Sequence, residues 1–516
     1  MDGAEGLLRS LVGAGVTTMF ANPGTSEMHA VAALDRVPEM RAVLGLFEGV
    51  VTGAADGYGR LTGSPAAALL HLGPGLGNGL ANLHNARRAR TPLVAVVGDH
   101  AHPHVRHDAP LQSDIEALAR TVSGWVRTSR HPRDLGRDGV EAVAAASAAP
   151  GQVATLVVPA DVAWSPGGQV AAPRPVPSEA AVPDDVVHEV AAALRSGEPA
   201  LLFLGGRALR AEPLRDAARV AGATGARLLA ETFPARFARG AGLPAVERLA
   251  YLAEAATAQL AGVRHLVLVD AAAPASFFAY PGKPGDLVPE DCQVHVLARG
   301  GDDPAQALAA LADELSAAAL DLPAVTRPEK PSGALDLQTF AAAVGAALPE
   351  HAIVVDEANT SGALLPAATA GAPRHDWLTL TGGAIGQGLP VAVGAAVAAP
   401  DRPVVCLEAD GSALYTIQSL WTMAREQLDV TVVLVDNGAY AILRMELART
   451  GAVTGGTRAA QLFDLTGPAV DFVAVARGFG VDAVRVERAE DLVDALDRCV
   501  AEPGPHLVHA LVPPIL

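Results

Sequence analysis

The chain alternates short apolar runs with longer stretches whose apolar residues recur at helical spacing. In the first third, Thr17–Ala21, Arg41–Phe47, Ala66–Leu72, Pro92–Gly98 and Val153–Pro159 read as strands. Gly49–Arg60 and Asn78–Arg88 read as helices between them. The last third repeats the scheme through Ala352–Asp356, Trp377–Thr381, Pro403–Glu408, Thr431–Asp436 and His506–Val512. The middle third follows it more loosely, through Ala200–Leu204 and His265–Asp270. Such alternation implies parallel sheets covered by helices on both faces. The expected fold class is therefore α/β, with three doubly wound parallel-sheet domains. Ligands of these sheets bind beyond the carboxyl ends of the strands, so the residues just after each strand are the informative ones.

Proline marks the seams. Ser165–Asp184 carries Pro166, Pro173, Pro175, Pro177 and Pro183, and Asp321–Asp336 carries Pro323, Pro328 and Pro331; both read as extended connections. The expected domains are residues 1–165, 183–320 and 334–516. With 516 residues, half of them apolar and 18% charged, the chain can bury large cores. Its net charge of −18 argues against nucleic acid and anionic membrane surfaces as partners. Three scattered cysteines, Cys292, Cys406 and Cys499, build neither a disulfide framework nor a metal motif. The N-terminus shows no signal peptide, and no apolar run approaches the roughly 20 residues of a membrane span. These features predict a cytoplasmic protein without a membrane partner.

Chemistry concentrates at the strand ends. Glu408-Ala409-Asp410-Gly411-Ser412 closes a strand and opens a helix, and Asn437 ends the next strand 27 residues after Asp410. An Asp and an Asn at adjacent strand ends offer oxygen ligands to a hard cation such as Mg²⁺, which commonly shares its shell with phosphate and water. The helix start adds free backbone N–H groups for an anion. Together they form a metal–diphosphate site. The run resembles the thiamine diphosphate motif, Gly-Asp-Gly followed after roughly thirty residues by Asn-Asn. The resemblance implies Asp410, Asn437 and the carbonyl of Ala439 as Mg²⁺ ligands, with Gly411 and Ser412 binding the cofactor. The sequence departs from the motif at Ala409 and Asp436, neither of which is expected to supply a ligand.

Further motifs extend the resemblance. Glu48, at the end of an apolar run and ahead of Ala54-Ala55-Asp56-Gly57-Tyr58, matches the family's glutamate, which binds N1′ of the aminopyrimidine and so activates the cofactor. Out of context it would read as an acid favoured by a helix N-terminus. Gly382-Gly383-Ala384-Ile385-Gly386 resembles the segment in which Gly383 would accept a hydrogen bond from N4′ and Ile385 would wedge the cofactor into its bent form. Asn359 and Thr360 stand where the family places diphosphate-binding side chains. Leu70-His71 and Asn22-Pro23-Gly24-Thr25 resemble segments of benzoylformate decarboxylase. His71 would bind the substrate carboxylate and donate a proton, with Thr25 beside it. Tyr280 stands where that enzyme type has a second histidine. The substrate pocket is expected from His29, Leu111, Gln112 and Tyr280.

Other signals are weaker. Gly73-Pro74-Gly75-Leu76-Gly77-Asn78 fails the dinucleotide fingerprint at Asn78. The middle domain offers no residues that argue for FAD, so none is expected. The loop His100–His107 carries four histidines around Pro103; it reads as a pocket entrance or solvated surface rather than zinc ligands.

The resemblance spans the whole chain and is to thiamine-diphosphate-dependent enzymes of the acetolactate synthase large subunit and benzoylformate decarboxylase type. It implies thiamine diphosphate- and Mg²⁺-dependent decarboxylation of a 2-oxo acid, the product leaving as an aldehyde or being joined to a second carbonyl compound. The alternatives are an acetolactate synthase forming acetohydroxy acids from pyruvate, and a catalytically silent cofactor-binding homologue. It also implies a homodimer or homotetramer with active sites between subunits.

Overall fold

A computed structural model describes residues 1–452 and 457–514. Its eighteen described strands form three sheets. The first contains β1 (Thr18–Asn22), β2 (Arg41–Leu44), β3 (Ala66–Leu70), β4 (Leu93–Asp99), β5 (Trp125–Thr128) and β6 (Val153–Pro159), ordered β2-β1-β3-β4-β6-β5 and all parallel. The second contains β7 (Ala200–Leu204), β8 (Arg227–Ala230), β10 (Glu247–Arg248), β11 (His265–Val269) and β12 (Gln293–Ala298), ordered β10-β8-β7-β11-β12. The third contains β13 (Ile353–Glu357), β14 (His375–Thr379), β15 (Val404–Ala409), β16 (Val430–Asp436), β17 (Asp482–Val486) and β18 (Pro505–Leu511). Its edge is completed by β9 (Phe237–Arg239), which comes from the middle of the chain and pairs antiparallel with β14.

The long apolar runs thus fall on strands within one or two residues of expectation, save Arg41–Phe47, whose strand ends at Leu44, because strands buried on both faces must be apolar throughout. Every residue of β3, β6, β7, β11 and β15 is buried. The antiparallel edge strand β9 departs from an all-parallel third sheet. Three residues of Phe-Ala-Arg carry no periodicity; β9 is fixed by tertiary contact, with the Arg239 guanidinium lying 4.9 Å from the centroid of the Trp377 ring on β14.

The helix Glu48–Thr62 of the first unit crosses the helix Gly388–Ala398 of the third at near backbone contact. A Cβ on Gly394 would fall 1.9 Å from the carbonyl oxygen of Ala54, and one on Gly57 would fall 2.2 Å from that of Val391. A buried polar network closes the same junction. Asp56 accepts from Arg60 Nη2 at 2.6 Å, Thr91 Oγ1 at 2.6 Å and Gln387 Nε2 at 2.8 Å. Arg60 also donates to the Thr379 carbonyl and to Thr381 Oγ1, both at 2.8 Å. With its charge fully paired and hydrogen-bonded, this ion pair is tolerated in the interior.

In the second sheet, the crevice beyond β7 is filled by side chains. The N–H of Gly206 donates to Glu231 and that of Arg207 to Asp270, which Arg90 of the first unit also binds at 2.6 Å. Burial raises the Glu231 carboxyl to about 7.

Two stability measurements test this frame. Gly394→Val places side-chain atoms inside the Ala54 backbone and lowers the calorimetric unfolding temperature, or leaves the protein insoluble. Glu231 binds a proton more tightly folded than unfolded, so the wild type loses stability as pH rises from about 4.5 to 7. Glu231→Gln lacks that loss and gains on the wild type by on the order of 3 kcal/mol between pH 4 and pH 8.

Candidate active site

β13, β15 and β16 are neighbours in the third sheet, and their parallel register sets Glu357 beside Glu408 and Ala409 beside Val435. The strand ends are therefore level, and the residues after each strand share one rim. Asp410 opens the helix Asp410–Thr416 and is buried; its carboxylate accepts from the N–H of Gly411 at 2.9 Å and of Gly438 at 3.0 Å. Asn437, also buried, donates to Ser361 Oγ at 3.0 Å and accepts from the N–H of Ala439 at 3.0 Å. Asn359 donates to Ser412 Oγ at 3.0 Å. Thr360 follows it in the 3-10 turn Asn359–Gly362. A cavity of about 310 Å³ opens beside Asp410, Asn437 and Gly438.

The motif departure at Asp436 has a partner. Asp436 accepts from His509 Nε2 on β18 at 2.9 Å and shares a hydrogen bond with Asp410. Burial, together with Asp436, raises the Asp410 carboxyl to about 7. For Asp436 burial acts upward, but the bonds to His509 and Asp410 outweigh it and hold the group low. Burial and the facing Asp436 thus disfavour charge on Asp410 at the place where the sequence expects a metal.

The loop carrying Ile385 is braced from both sides. Gly383 and Gly386 both have positive φ, at 74° and 89°, which glycine adopts without strain. Glu357 takes the N–H groups of Gly386 and Gly388 and so caps the helix Gly388–Ala398. Burial raises Glu357 to about 7 and drives its cross-strand neighbour Glu408 well above the usual carboxylate range. From the first unit, Asn85 bonds Ala384 through both amide atoms, His84 contacts the Gly382 carbonyl at 3.1 Å, and Asn82 donates to the Gly386 carbonyl. His84 thus packs against the loop from the helix Leu72–Arg88.

Glu48 begins its helix and is buried. Its Oε2 accepts from Asn78 at 3.0 Å, and Gly75 leaves room for the carboxylate. His71 Nδ1 lies 2.8 Å from Glu27 Oε2 and 3.1 Å from Ser26 Oγ. Glu27 is buried and also takes the N–H of Gly24. Thr25 sits in the same turn, but the side chains that reach His71 are Ser26 and Glu27. Sequence reading missed both; the Ser-Glu pair after Thr25 was the available signal.

The expected pocket residues separate. His29 is exposed and packs on Trp164, with ring centroids 6.0 Å apart. Leu111 is exposed, Gln112 Oε1 is buried, and Tyr280 faces Glu446. In the histidine loop the rings of His100, His104 and His107 stack in series while His102 bonds Asp161. Among the described residues no three His, Cys, Asp or Glu side chains converge as a metal site. Nor is any described helix long and apolar enough to cross a membrane.

Two family models match segments of the chain. Residues 1–118 match the family model for the N-terminal TPP binding domain of thiamine pyrophosphate enzymes, and residues 360–510 that for the C-terminal TPP binding domain. A Mycobacterium tuberculosis protein named "Putative acetolactate synthase large subunit IlvX" is 61% identical over the full length of both chains. The benzoylformate decarboxylase of Pseudomonas aeruginosa is 31% identical over 96% of each. The chain belongs to the thiamine diphosphate-dependent enzymes. Among solved structures, the 4-hydroxybenzoylformate decarboxylase of Rhodococcus jostii superimposes over 99% of both chains with a TM-score of 0.87 and 25% identity. Glu48 and His71 lie in the first matched segment, and Asp410, Ser412, Asn437 and Ala439 in the second; Asn359 is one residue outside it.

The residues present suit the family's cofactor. The donor set beside the cavity is oxygen-rich and acidic, as Mg²⁺ requires, and a helix N-terminus opens onto the same rim, as a diphosphate requires. His509→Phe removes the bond that orients Asp436 against Asp410. It weakens Mg²⁺-dependent thiamine diphosphate binding, followed by calorimetry, by roughly 10- to 100-fold.

Proposed function

We propose that this thiamine diphosphate-dependent enzyme decarboxylates a 2-oxo acid other than pyruvate with the help of Mg²⁺, releasing an aldehyde or joining the product to a second carbonyl compound. The observation that carries the reading is the pairing of two half-sites on one chain. One is a buried Glu48 seated on Asn78; the other is the Asp410–Asn437 rim with its cavity.

Asp410, Asn437 and the Ala439 carbonyl hold Mg²⁺, while Asn359, Thr360, Ser412 and the N–H of Gly411 hold the diphosphate. When bound, thiamine diphosphate supplies at its thiazolium carbon an acceptor for the electron pair left when CO₂ departs. Glu48 would stand at N1′ of the pyrimidine and share a proton there, the Gly383 carbonyl would accept from N4′–H, and Ile385 would pack against the cofactor. His71 binds the substrate carboxylate and returns a proton. Glu27 fixes its Nδ1, leaving Nε2 for that transfer, the usual way a carboxylate sets an imidazole's working nitrogen. This buried acid–imidazole pair favours protonation to an aldehyde. The high identity to the Mycobacterium tuberculosis relative supports ligation in the manner of an acetolactate synthase as a second reading.

Both half-sites are bordered by exposed apolar side chains: Leu46 and Leu111 near Glu48 and His71, and Leu364, Leu414, Tyr415 and Leu443 near Asp410. Apolar surface around a reaction site favours burial against another surface. This supports a homodimer or homotetramer in which the first unit of one copy covers the third unit of another.

The test is CO₂ release with product analysis, with and without thiamine diphosphate and Mg²⁺, over pyruvate, 2-oxobutyrate, branched 2-oxo acids and phenylglyoxylate. The expected outcome is cofactor-dependent release, strongest from a non-pyruvate acid; acetohydroxy acids as sole products would establish the ligase reading instead. Glu48→Gln is expected to lower turnover at least about 100-fold while sparing Mg²⁺-dependent cofactor binding. Full activity in that variant excludes the mechanism.

A further inference from the structure

We propose that Asn85, supported by His84, aims the Gly383 carbonyl at the aminopyrimidine of the cofactor; this rests on the reaction proposed above and adds two positioning residues to it. Both side chains stand on the helix Leu72–Arg88, where Asn85 is buried and His84 half-buried. Between them they hold three successive peptide groups of the loop that runs from Gly382 to Ile385.

The central peptide joins Gly383 to Ala384. Its N–H, that of Ala384, donates to Asn85 Oδ1 at 3.2 Å. A peptide group is planar and trans, so its carbonyl points opposite to its N–H. Holding the Ala384 N–H therefore turns the Gly383 carbonyl away from the helix Leu72–Arg88. The flanking peptides are fixed as well. On one side His84 donates from Nε2 to the Gly382 carbonyl at 3.1 Å, since a carbonyl only accepts. The N–H of that same peptide, on Gly383, donates to the Leu380 carbonyl at 3.4 Å. On the other side Asn85 Nδ2 donates to the Ala384 carbonyl at 2.8 Å. Flipping the central peptide would break the bond to Oδ1 and set one oxygen against another, at the cost of a buried acceptor without a donor. Asn85 is itself oriented, because Nδ2 also donates to Asn82 Oδ1 at 3.0 Å.

Two glycines permit this geometry. A Cβ on Gly382 would fall 2.4 Å from Asn85 Oδ1, whereas Gly383 is required by its φ of 74°. Among the described residues no donor reaches the Gly383 carbonyl. The loop thus presents a carbonyl fixed in direction and open to an incoming N–H. Accepting N4′–H orients that nitrogen's lone pair towards the hydrogen on the thiazolium carbon, which is a positioning effect.

The test follows exchange of that hydrogen for deuterium by proton NMR, without substrate, alongside calorimetric binding of thiamine diphosphate and Mg²⁺. Asn85→Ala is expected to slow exchange at least about tenfold, since small misplacements of a reacting group cost large factors, while cofactor affinity stays close to that of the wild type. His84→Phe should slow exchange less, and His84→Gln, which keeps an N–H donor, should return most of the rate. The histidine variants carry the test should Asn85→Ala fail to fold. Three results would overturn the assignment: wild-type exchange no faster than in free cofactor, unchanged exchange in the folded variants, or a loss that tracks cofactor affinity and is not restored by glutamine. The expected exchange pattern with no CO₂ release from any 2-oxo acid would leave the positioning role standing and remove the reaction. CO₂ release by Asn85→Ala and His84→Phe at the wild-type rate would do the reverse.

Discussion

The arrangement depends first on the crossing of two helices, Glu48–Thr62 on Gly388–Ala398. At their N-terminal ends these helices carry two candidate site elements of the chain, the carboxylate of Glu48 and the loop of Gly383 and Ile385. Gly57 and Gly394 let the backbones approach until carbonyl oxygens occupy the space where side chains would be, and packing so close leaves little freedom to slide. Asn82 makes the connection explicit, donating to the Gly49 carbonyl on one side and the Gly386 carbonyl on the other. The Asp56–Arg60–Gln387 network then supplies direction where apolar packing alone is indifferent to rotation. Its polar groups are costly to bury singly; Asp56 and Arg60 are bonded throughout, whereas Gln387 Oε1 has no hydrogen-bond partner.

The third sheet carries an unusual density of buried acid. Glu357, Glu408, Asp410 and Asp436 stand at the ends of three adjacent strands, and the first three have raised pKa values because burial disfavours their charge. Backbone N–H groups from Gly386, Gly388, Gly411 and Gly438 offset part of that cost. Glu357 spends its lone pairs on holding the Ile385 loop. Asp410, in contrast, is hydrogen-bonded to Asp436 beside a cavity, and its charge is disfavoured there. A divalent cation would offset that cost, which is why two neighbouring carboxylates of this kind suit a metal.

Much of this was legible in the sequence, and the limit has a physical cause. Strand cores announced themselves through uninterrupted apolar runs, and Asp410, Asn437 and Glu48 through their positions at strand ends. Short strands such as β5, β8, β12 and β17 did not, because half-exposed strands of four to six residues carry little period. The second layer of the site was also hidden. Glu27 meets His71 across 44 positions, Asn359 meets Ser412 across 53, and Asp436 meets His509 across 73. Nothing local marks such pairs; only the sheet order brings them together. The departure at Asp436 illustrates the point. In the sequence it weakens a motif, whereas beside His509 it is a satisfied carboxylate that orients the neighbouring Asp410.

In the proposed mechanism, the balance between aldehyde release and ligation turns on proton supply at His71. Ligation requires that the intermediate outlive its neighbours' protons; release requires a donor already in place. Here the imidazole is held from below by Gly24, whose missing side chain makes room for the ring, and from the side by Glu27 and Ser26. Held at Nδ1, it cannot rotate away without the buried Glu27 carboxylate losing one of its partners, the others being the Gly24 N–H and Ser26 Oγ. In the proposed mechanism a ring so fixed, when it also carries a proton on Nε2, supplies that proton from a constant position and weighs the site towards protonation unless a second carbonyl compound excludes it sterically.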